Sequence, residues 1–238
     1  MASFEREVRA GERFEFGANW ASLLKTIDED RIAGAQASLA DWLGEDLSGL
    51  TFLDAGSGSG LSSLCARRLG ARVRSFDYDP ASVACTRELR DRYFPDDPDW
   101  EVGPGSALDE DFLEGLGTFD IVYCWGVLHH TGDMWRGLDL IPRRVAPGGR
   151  MHLMLYRDEG MKSVAWRAIK KTYNAGPVRR RLIKATFLPY YVTRGVIEDA
   201  ARLQDPRTRY RQHYRKRGMS KYHDWIDWLG GYPYEVVK

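Results

Sequence analysis

Residues 51–60 read Thr-Phe-Leu-Asp-Ala-Gly-Ser-Gly-Ser-Gly, an apolar run that passes into three glycines at alternate positions. The apolar run predicts a short buried strand. A helical pattern follows, in which apolar residues share one face until Gly70 ends the helix: Leu61, Leu64, Cys65 and Leu69. Glycine permits a sharp turn and a close approach of ligand to backbone. Strand, glycine turn and helix therefore predict a nucleotide-type ligand site in a doubly wound α/β sheet.

The glycine spacing distinguishes this turn from the dinucleotide fingerprint G-x-G-x-x-G. Here the third glycine is Gly60, and position 61 is leucine. Asp54 would repel a pyrophosphate and suits a ligand that carries a positive amino group. The pattern D-x-G-x-G-x-G resembles motif I of the class I S-adenosylmethionine-dependent methyltransferases, whose loop holds the methionine part of the cofactor. A glycine turn without a ligand is the alternative, which the following elements disfavour.

The elements after the turn are similar to those of the same family, in the same order. Strands are predicted at residues 71–77, 100–102, 119–124 and 151–156, and a helix at residues 80–94. Pro-Gly-Gly at residues 147–149 precedes the last strand. The resemblance covers roughly residues 50–156. It implies a Rossmann-like, doubly wound, mainly parallel sheet with helices on both faces.

The resemblance also implies a cofactor, S-adenosyl-L-methionine, and a set of residues that hold it. Asp77 ends the second strand about 20 residues after the glycine loop and matches the acid that binds the ribose hydroxyls. Ser106 stands where the family often has the aspartate that contacts adenine. The implied cofactor-binding set is Asp54, Gly56, Gly58, Gly60, Asp77, Tyr78, Ser106, Ala107 and Cys124.

The loop after the fourth strand carries two adjacent histidines, His129 and His130. Methyl transfer depends mainly on alignment, but a hydroxyl acceptor also needs a general base, for which histidine is suited. In related quinone O-methyltransferases the loop reads Leu-Glu-His, so His130 matches the family histidine and His129 is the second candidate. Each could instead be a buried structural histidine. Gly126 and His129 replace the acidic residues of metal-binding relatives, so no metal is predicted.

Charge is divided unevenly along the 238 residues. Residues 1–156 contain 16 basic and 26 acidic side chains, whereas residues 157–238 contain 19 basic and 8 acidic ones. We expect a segment at residues 1–46 that forms a lid and a helix, a cofactor domain at residues 47–156, and a basic helical region at residues 157–238. Phe14, Phe16 and Trp20 either pack on the core or cover the ligand.

The basic region has three interpretations. It is a solvated face, or it recognises an anionic small acceptor through Arg179, Arg180 and Arg181, or it binds RNA or a membrane surface. A second basic run at residues 207–221 contains Tyr210, His213 and Tyr214. The usual C-terminal hairpin of the family either is missing from this chain, or a partner covers the fifth strand, and a homodimer would do so.

The predicted function is methylation of a small molecule, as in the ubiquinone-methylase-like bacterial enzymes that the chain resembles, at oxygen with a loop histidine as base. An RNA methyltransferase and a non-catalytic cofactor-binding protein are the alternatives. Three scattered cysteines and a charged N-terminus without an apolar core predict a cytoplasmic protein.

Overall fold

A computed structural model of the protein describes residues 2–217 and 221–238, with side chains described at residues 3–211 and 221–238. In the second basic run, the side chains of His213 and Tyr214 and the whole of residues 218–220 lie outside the described parts. Five strands form one parallel sheet: β1 (Thr51–Ala55), β2 (Arg72–Asp77), β3 (Trp100–Pro104), β4 (Phe119–Trp125) and β5 (Val145–Met154).

The helices alternate with the strands and then continue beyond them: α1 (Ala2–Ala10), α2 (Phe16–Leu24), α3 (Glu29–Leu43), α4 (Leu61–Arg68), α5 (Pro80–Tyr93), α6 (Glu110–Leu116), α7 (Met134–Leu140), α8 (Met161–Asn174), α9 (Pro177–Ala201), α10 (Pro206–Arg217) and α11 (Lys221–Gly230). Local sequence explains the helix starts: the carboxylates of Asp28, Asp79 and Asp109 accept backbone N–H bonds at the starts of α3, α5 and α6. The predicted doubly wound α/β fold is confirmed.

The strand order is β3-β2-β1-β4-β5, so the direction of winding reverses between β1 and β4. Ligands of open α/β sheets bind at such a switch point, beyond the carboxyl ends of the strands. Phe52 and Leu53 of β1 are fully buried on opposite faces of the sheet and belong to two separate apolar cores. Helices therefore cover both faces and leave the carboxyl ends of the strands open for a site.

The predicted start of the fifth strand at residue 151 is wrong. β5 begins at Val145, which pairs with Phe119, and the register then shifts before Ile121 pairs with Arg150. Proline and two glycines look like a turn in the sequence, but an irregularity in the ladder accommodates them inside the strand. Gly148, at φ 80°, lies in this irregular part.

The C-terminal region is helical and returns to the sheet. A third apolar core joins Phe14 to Tyr173, Ile226 and Leu229, so the two ends of the chain pack together. Val237 forms a parallel bridge with Arg157, just beyond β5. Among the residues that the structure describes, no further strand pairs with β5, and the C-terminal hairpin of the family is not formed there.

Candidate functional site

A cavity of about 560 Å³ lies beyond the carboxyl ends of β1, β2 and β4. Its floor comprises the glycine loop at Gly56 and Gly58, the end of β2, residues 105–108 and the loop after β4. The N-terminal segment forms the opposite wall with four aromatic side chains, Phe4, Phe14, Phe16 and Trp20. The aromatic residues that the sequence assigns to the core or to a ligand cover thus line the cavity.

The glycine loop presents bare backbone because side chains would not fit there. A Cβ on Gly56 would lie 2.5 Å from the Val127 side chain, and one on Gly58 would lie 3.1 Å from the indole of Trp20. Both glycines have positive φ angles, 84° and 55°. Gly60, at φ 81°, turns away from the cavity and packs against the backbone of Thr86 in α5. It therefore shapes the loop without lining the cavity.

Asp77 lies where the sequence predicts the ribose-binding acid. Its carboxylate lines the cavity and accepts backbone N–H bonds from Gly58 at 2.9 Å and from Asp79 at 2.9 Å. Burial raises the pKa of Asp77 to about 6, and the two backbone donors partly oppose that shift. The acid thus ties the end of β2 to the glycine loop and faces the space where a ligand would lie.

Besides Gly60, two further members of the predicted cofactor set do not line the cavity. Asp54 is buried under the loop, where it accepts a 2.5 Å bond from the Ser63 hydroxyl in α4. Burial raises its pKa to about 7. Cys124 is fully buried inside β4, and burial keeps its thiol protonated by raising the pKa. Neither side chain lines the cavity, because helices cover both faces of the sheet and bury the side chains of its central strands. A role of Asp54 and Cys124 in cofactor binding stays a prediction.

Tyr78, Ser106 and Ala107 line the cavity as predicted. The Tyr78 hydroxyl donates to Glu7 at 2.9 Å, so this residue connects the end of β2 to the N-terminal segment. The Ser106 hydroxyl accepts the Leu108 N–H at 3.1 Å and closes a short turn. Ser106 therefore shapes the wall where the family often has a carboxylate.

The two histidines of the β4 loop lie in different environments. His130 lines the cavity, and its Nδ1 lies 2.7 Å from the Pro233 carbonyl oxygen. A carbonyl can only accept, so Nδ1 carries the proton and Nε2 keeps its lone pair. Burial, then the neighbouring His129 and Lys170, lower the pKa of His130 well below 6.5. His130 is therefore neutral near pH 7.

His129 does not line the cavity. It is fully buried with its ring stacked 3.7 Å from that of Tyr156, and neither ring nitrogen has a partner among the described residues. Burial and the charge of Lys170 lower its pKa to about 3. The expectation that His129 could act as a second base is corrected, because adjacent residues in the short 3₁₀ turn at residues 128–130 point in different directions.

Arg13 holds the N-terminal segment over the site. Its guanidinium donates to the backbone oxygens of His130 and Thr131, at 2.9 and 3.0 Å, and to the Glu7 carboxylate at 2.6 Å. It also lies 4.9 Å from the centre of the Tyr78 ring. Sequence reasoning missed this residue because the loop that it holds, at His130 and Thr131, lies more than a hundred positions away. The one local signal of its role was its position directly before Phe14 and Phe16.

The charged residues of the cavity wall are mostly acidic, whereas recognition of an anionic acceptor would need basic ones. Glu7, Glu12 and Asp133 lie on the wall away from the glycine loop, with Arg13 as the basic residue among them. Arg179, Arg180 and Arg181 do not line the cavity, and Pro233 is the single lining residue after residue 156 among those described. These three arginines are therefore not placed to recognise an anionic acceptor in this cavity.

The central part of the chain is similar to known proteins. Residues 53–151 match the family described as methyltransferase domain. A ubiquinone biosynthesis O-methyltransferase of Xanthomonas oryzae is 33% identical over 108 residues, which is 45% of this chain and 44% of that protein. A tRNA U34 carboxymethyltransferase of Methylococcus capsulatus is 33% identical over 144 residues, 60% of this chain and 40% of that protein.

The chain thus spans less than half the length of these two relatives. Among solved structures, a magnesium protoporphyrin IX methyltransferase of Synechocystis with bound SAH overlaps 58% of this chain and 63% of its own, with a TM-score of 0.45 and 21% identity.

Proposed function

We propose that residues 53–151, which match a methyltransferase domain, use S-adenosylmethionine to methylate a hydroxyl group of a small molecule. The observation that carries this proposal is the state of His130 in the cavity wall. Its Nδ1–H is engaged by the Pro233 carbonyl, which leaves a neutral Nε2 to act as a base.

The described residues fit the cofactor of this family. The backbone of Gly56 and Gly58, where a Cβ would collide with neighbours, suits the methionine part, and Asp77 suits the two ribose hydroxyls. Ser106 and Ala107 lie where adenine would follow. When bound, S-adenosylmethionine supplies a methyl group on a positively charged sulfur, and the acidic wall suits that charge.

The remaining chemistry belongs to the chain. His130 Nε2 accepts the proton of the acceptor hydroxyl as the oxygen becomes nucleophilic. The aromatic wall of Phe4, Phe14 and Phe16 excludes water and holds the acceptor in line. Arg13 keeps this wall in place through the backbone of the histidine loop. Rate enhancement then comes mainly from alignment, with proton transfer as the second contribution.

The acidic side chains of the cavity wall favour a neutral or cationic acceptor. An anionic acceptor was one interpretation of the basic C-terminal region. Glu12 and Asp133 would repel a phosphate or carboxylate at this position, whereas the charge of Glu7 is compensated by its pairing with Arg13. The same repulsion disfavours the RNA alternative, because nucleic acid brings a row of phosphates to its site. The tRNA-modifying relative makes tRNA a necessary acceptor in the assay.

The test is transfer of labelled methyl from S-adenosylmethionine to a metabolite extract, to a panel of phenols and catechols, and to tRNA. We expect label in the small-molecule fraction. His130→Gln should lower the rate by roughly 10²–10⁴-fold with cofactor affinity little changed. His223→Gln, in α11 and outside the cavity wall, is the matched control.

Full activity of His130→Gln would refute the role of the base and point to an amine or carbon acceptor. Label in tRNA alone would establish the RNA alternative. Cofactor binding without turnover on any acceptor would support a non-catalytic binding protein.

A further inference from the structure

Helix α9 exposes an uncharged apolar face along most of its 25 residues. Val178 and Leu182 are 67% and 63% exposed, and Val192, Val196 and Ile197 are exposed as well. With 3.6 residues per turn, these side chains fall in one sector with small or hydroxyl residues between them: Ala185, Thr186, Pro189, Thr193 and Ala200. Side chains of this kind are usually turned inward on a helix at the surface of a protein.

The charged residues of α9 after Leu182 lie on the other side of the helix. Lys184 lies 5.9 Å from the ring of Tyr173, and Arg194 pairs with Glu198 at 2.7 Å. Asp199 is buried and pairs with Arg209 of α10. The apolar face therefore carries no charged side chain between residues 182 and 200.

The surroundings of this face are strongly basic. Residues 161–197, which span α8 and most of α9, contain nine lysines and arginines and no aspartate or glutamate. Arg179 and Arg181 are exposed and fall at the two edges of the apolar face near the start of α9. An apolar strip with arginines at its edges is the arrangement by which a helix lies in the headgroup region of a bilayer.

We propose that the outer face of α9 docks on an anionic lipid bilayer surface. The distance from Val178 to Val196 along the axis is about 27 Å at 1.5 Å per residue, so the helix would lie flat over several lipids. In the part of the chain that the structure describes, no helix is long and apolar enough to cross a bilayer. The helix would therefore rest on the membrane with its valines among the upper acyl carbons.

Charge complementarity favours a bilayer over the two other candidate partners, which are RNA and a second copy of the chain. A bilayer offers an apolar layer for the valines and anionic headgroups for the arginines, whereas RNA would leave the valines uncovered. A second copy of the chain would bring its own basic helices α8 and α9 against those of the first copy, and like charges repel. The acidic first 156 residues weaken the attraction only where their charges lie within about 10 Å of the face, because more distant charges are screened at physiological ionic strength.

The experiment is flotation of the purified chain with vesicles of phosphatidylcholine alone or with 30% phosphatidylglycerol added. We expect binding to the anionic vesicles, weakened by salt. Val192→Glu with Val196→Glu should reduce binding at least about tenfold, and Arg179→Gln with Arg181→Gln by a similar factor. The matched control is Ala33→Glu with Ala37→Glu, exposed on α3 and separated by the same four residues.

Unchanged circular dichroism, melting temperature and cofactor affinity in all variants would show that the effects are local. Three results would overturn the proposal. The first is absence of vesicle binding by the wild type, and the second is equal loss in the Val192/Val196 pair and the control pair. The third is tight RNA binding, or a dimer seen by light scattering, in place of vesicle binding.

Discussion

Asp77 provides the sharpest test of the cofactor site, through the replacement Asp77→Asn. The carboxylate faces the cavity, and a ribose would meet it with two hydroxyl donors. Hydrogen bonds to a charged acceptor contribute about 1.5–3 kcal/mol, so cofactor affinity should fall by about tenfold to 150-fold. Asparagine also has one acceptor oxygen for the two backbone donors, Gly58 N–H and Asp79 N–H. One donor therefore loses its partner, and the glycine loop loosens as well.

The pH dependence of cofactor binding gives a second, independent test of the role of Asp77. The pKa of Asp77 in the free protein is about 6. Ribose hydroxyls bind the ionised form, so binding lowers the pKa and releases a proton below pH 6. Affinity should therefore rise with pH through 6 and level off above 7. At pH 5 only about one molecule in eleven is ionised, so wild-type affinity should be about tenfold lower than at pH 8.

Isothermal titration calorimetry with S-adenosylhomocysteine, repeated in buffers of different ionisation enthalpy, measures both the affinity and the released proton. Asp77→Asn should bind weakly and with no dependence on pH between 5 and 8. Asp120→Asn is the control, since Asp120 accepts two bonds from Thr51 at the other end of the sheet. It should lower the melting temperature and leave affinity intact. Wild-type affinity in Asp77→Asn, or a flat wild-type pH profile, would refute the assignment.

Three further substitutions test the glycine loop, the buried Asp54 and the contacts by which Arg13 holds the N-terminal segment. Gly60→Ala should cost at least about 2 kcal/mol of unfolding free energy, because φ is 81° and the new Cβ would lie 2.8 Å from the Thr86 backbone; a melting temperature within a degree of wild type would contradict this. Asp54→Asn should stabilise the fold. The pKa of Asp54 is raised to about 7, so the stability that it contributes is complete below its unfolded pKa and is lost as pH rises through 7. The gain in denaturant titrations should be about 2–3 kcal/mol larger at pH 8 than at pH 5, and a gain that does not grow with pH would be the contrary result. Arg13→Gln should expose residues 1–25 to limited proteolysis and reduce methyl transfer by at least about tenfold, because charged bonds to Glu7 and two carbonyl oxygens are lost; unchanged cleavage would show that the aromatic contacts alone hold the segment.

The sequence by itself determined the fold class and the floor of the candidate site. Alternating glycines after an apolar run, the acid at the end of the next strand and proline after Asp79 are local patterns, and each one specifies local backbone geometry. Parallel strands then bring these separate patterns to one edge of the sheet. That is why Gly56, Gly58, Asp77, Tyr78, Ser106 and Ala107 were all predicted and all line the cavity.

The tertiary structure decided which side chains face the cavity and what covers it. His129 and His130 are neighbours in sequence, yet only packing against Tyr156 and Pro233 separates the buried ring from the one in the wall. Arg13 reaches a loop 117 residues away. Likewise, the orientation of α9 turned its arginines away from the cavity and exposed its valines. Periodicity describes one element at a time, whereas these outcomes depend on contacts between elements far apart in the chain.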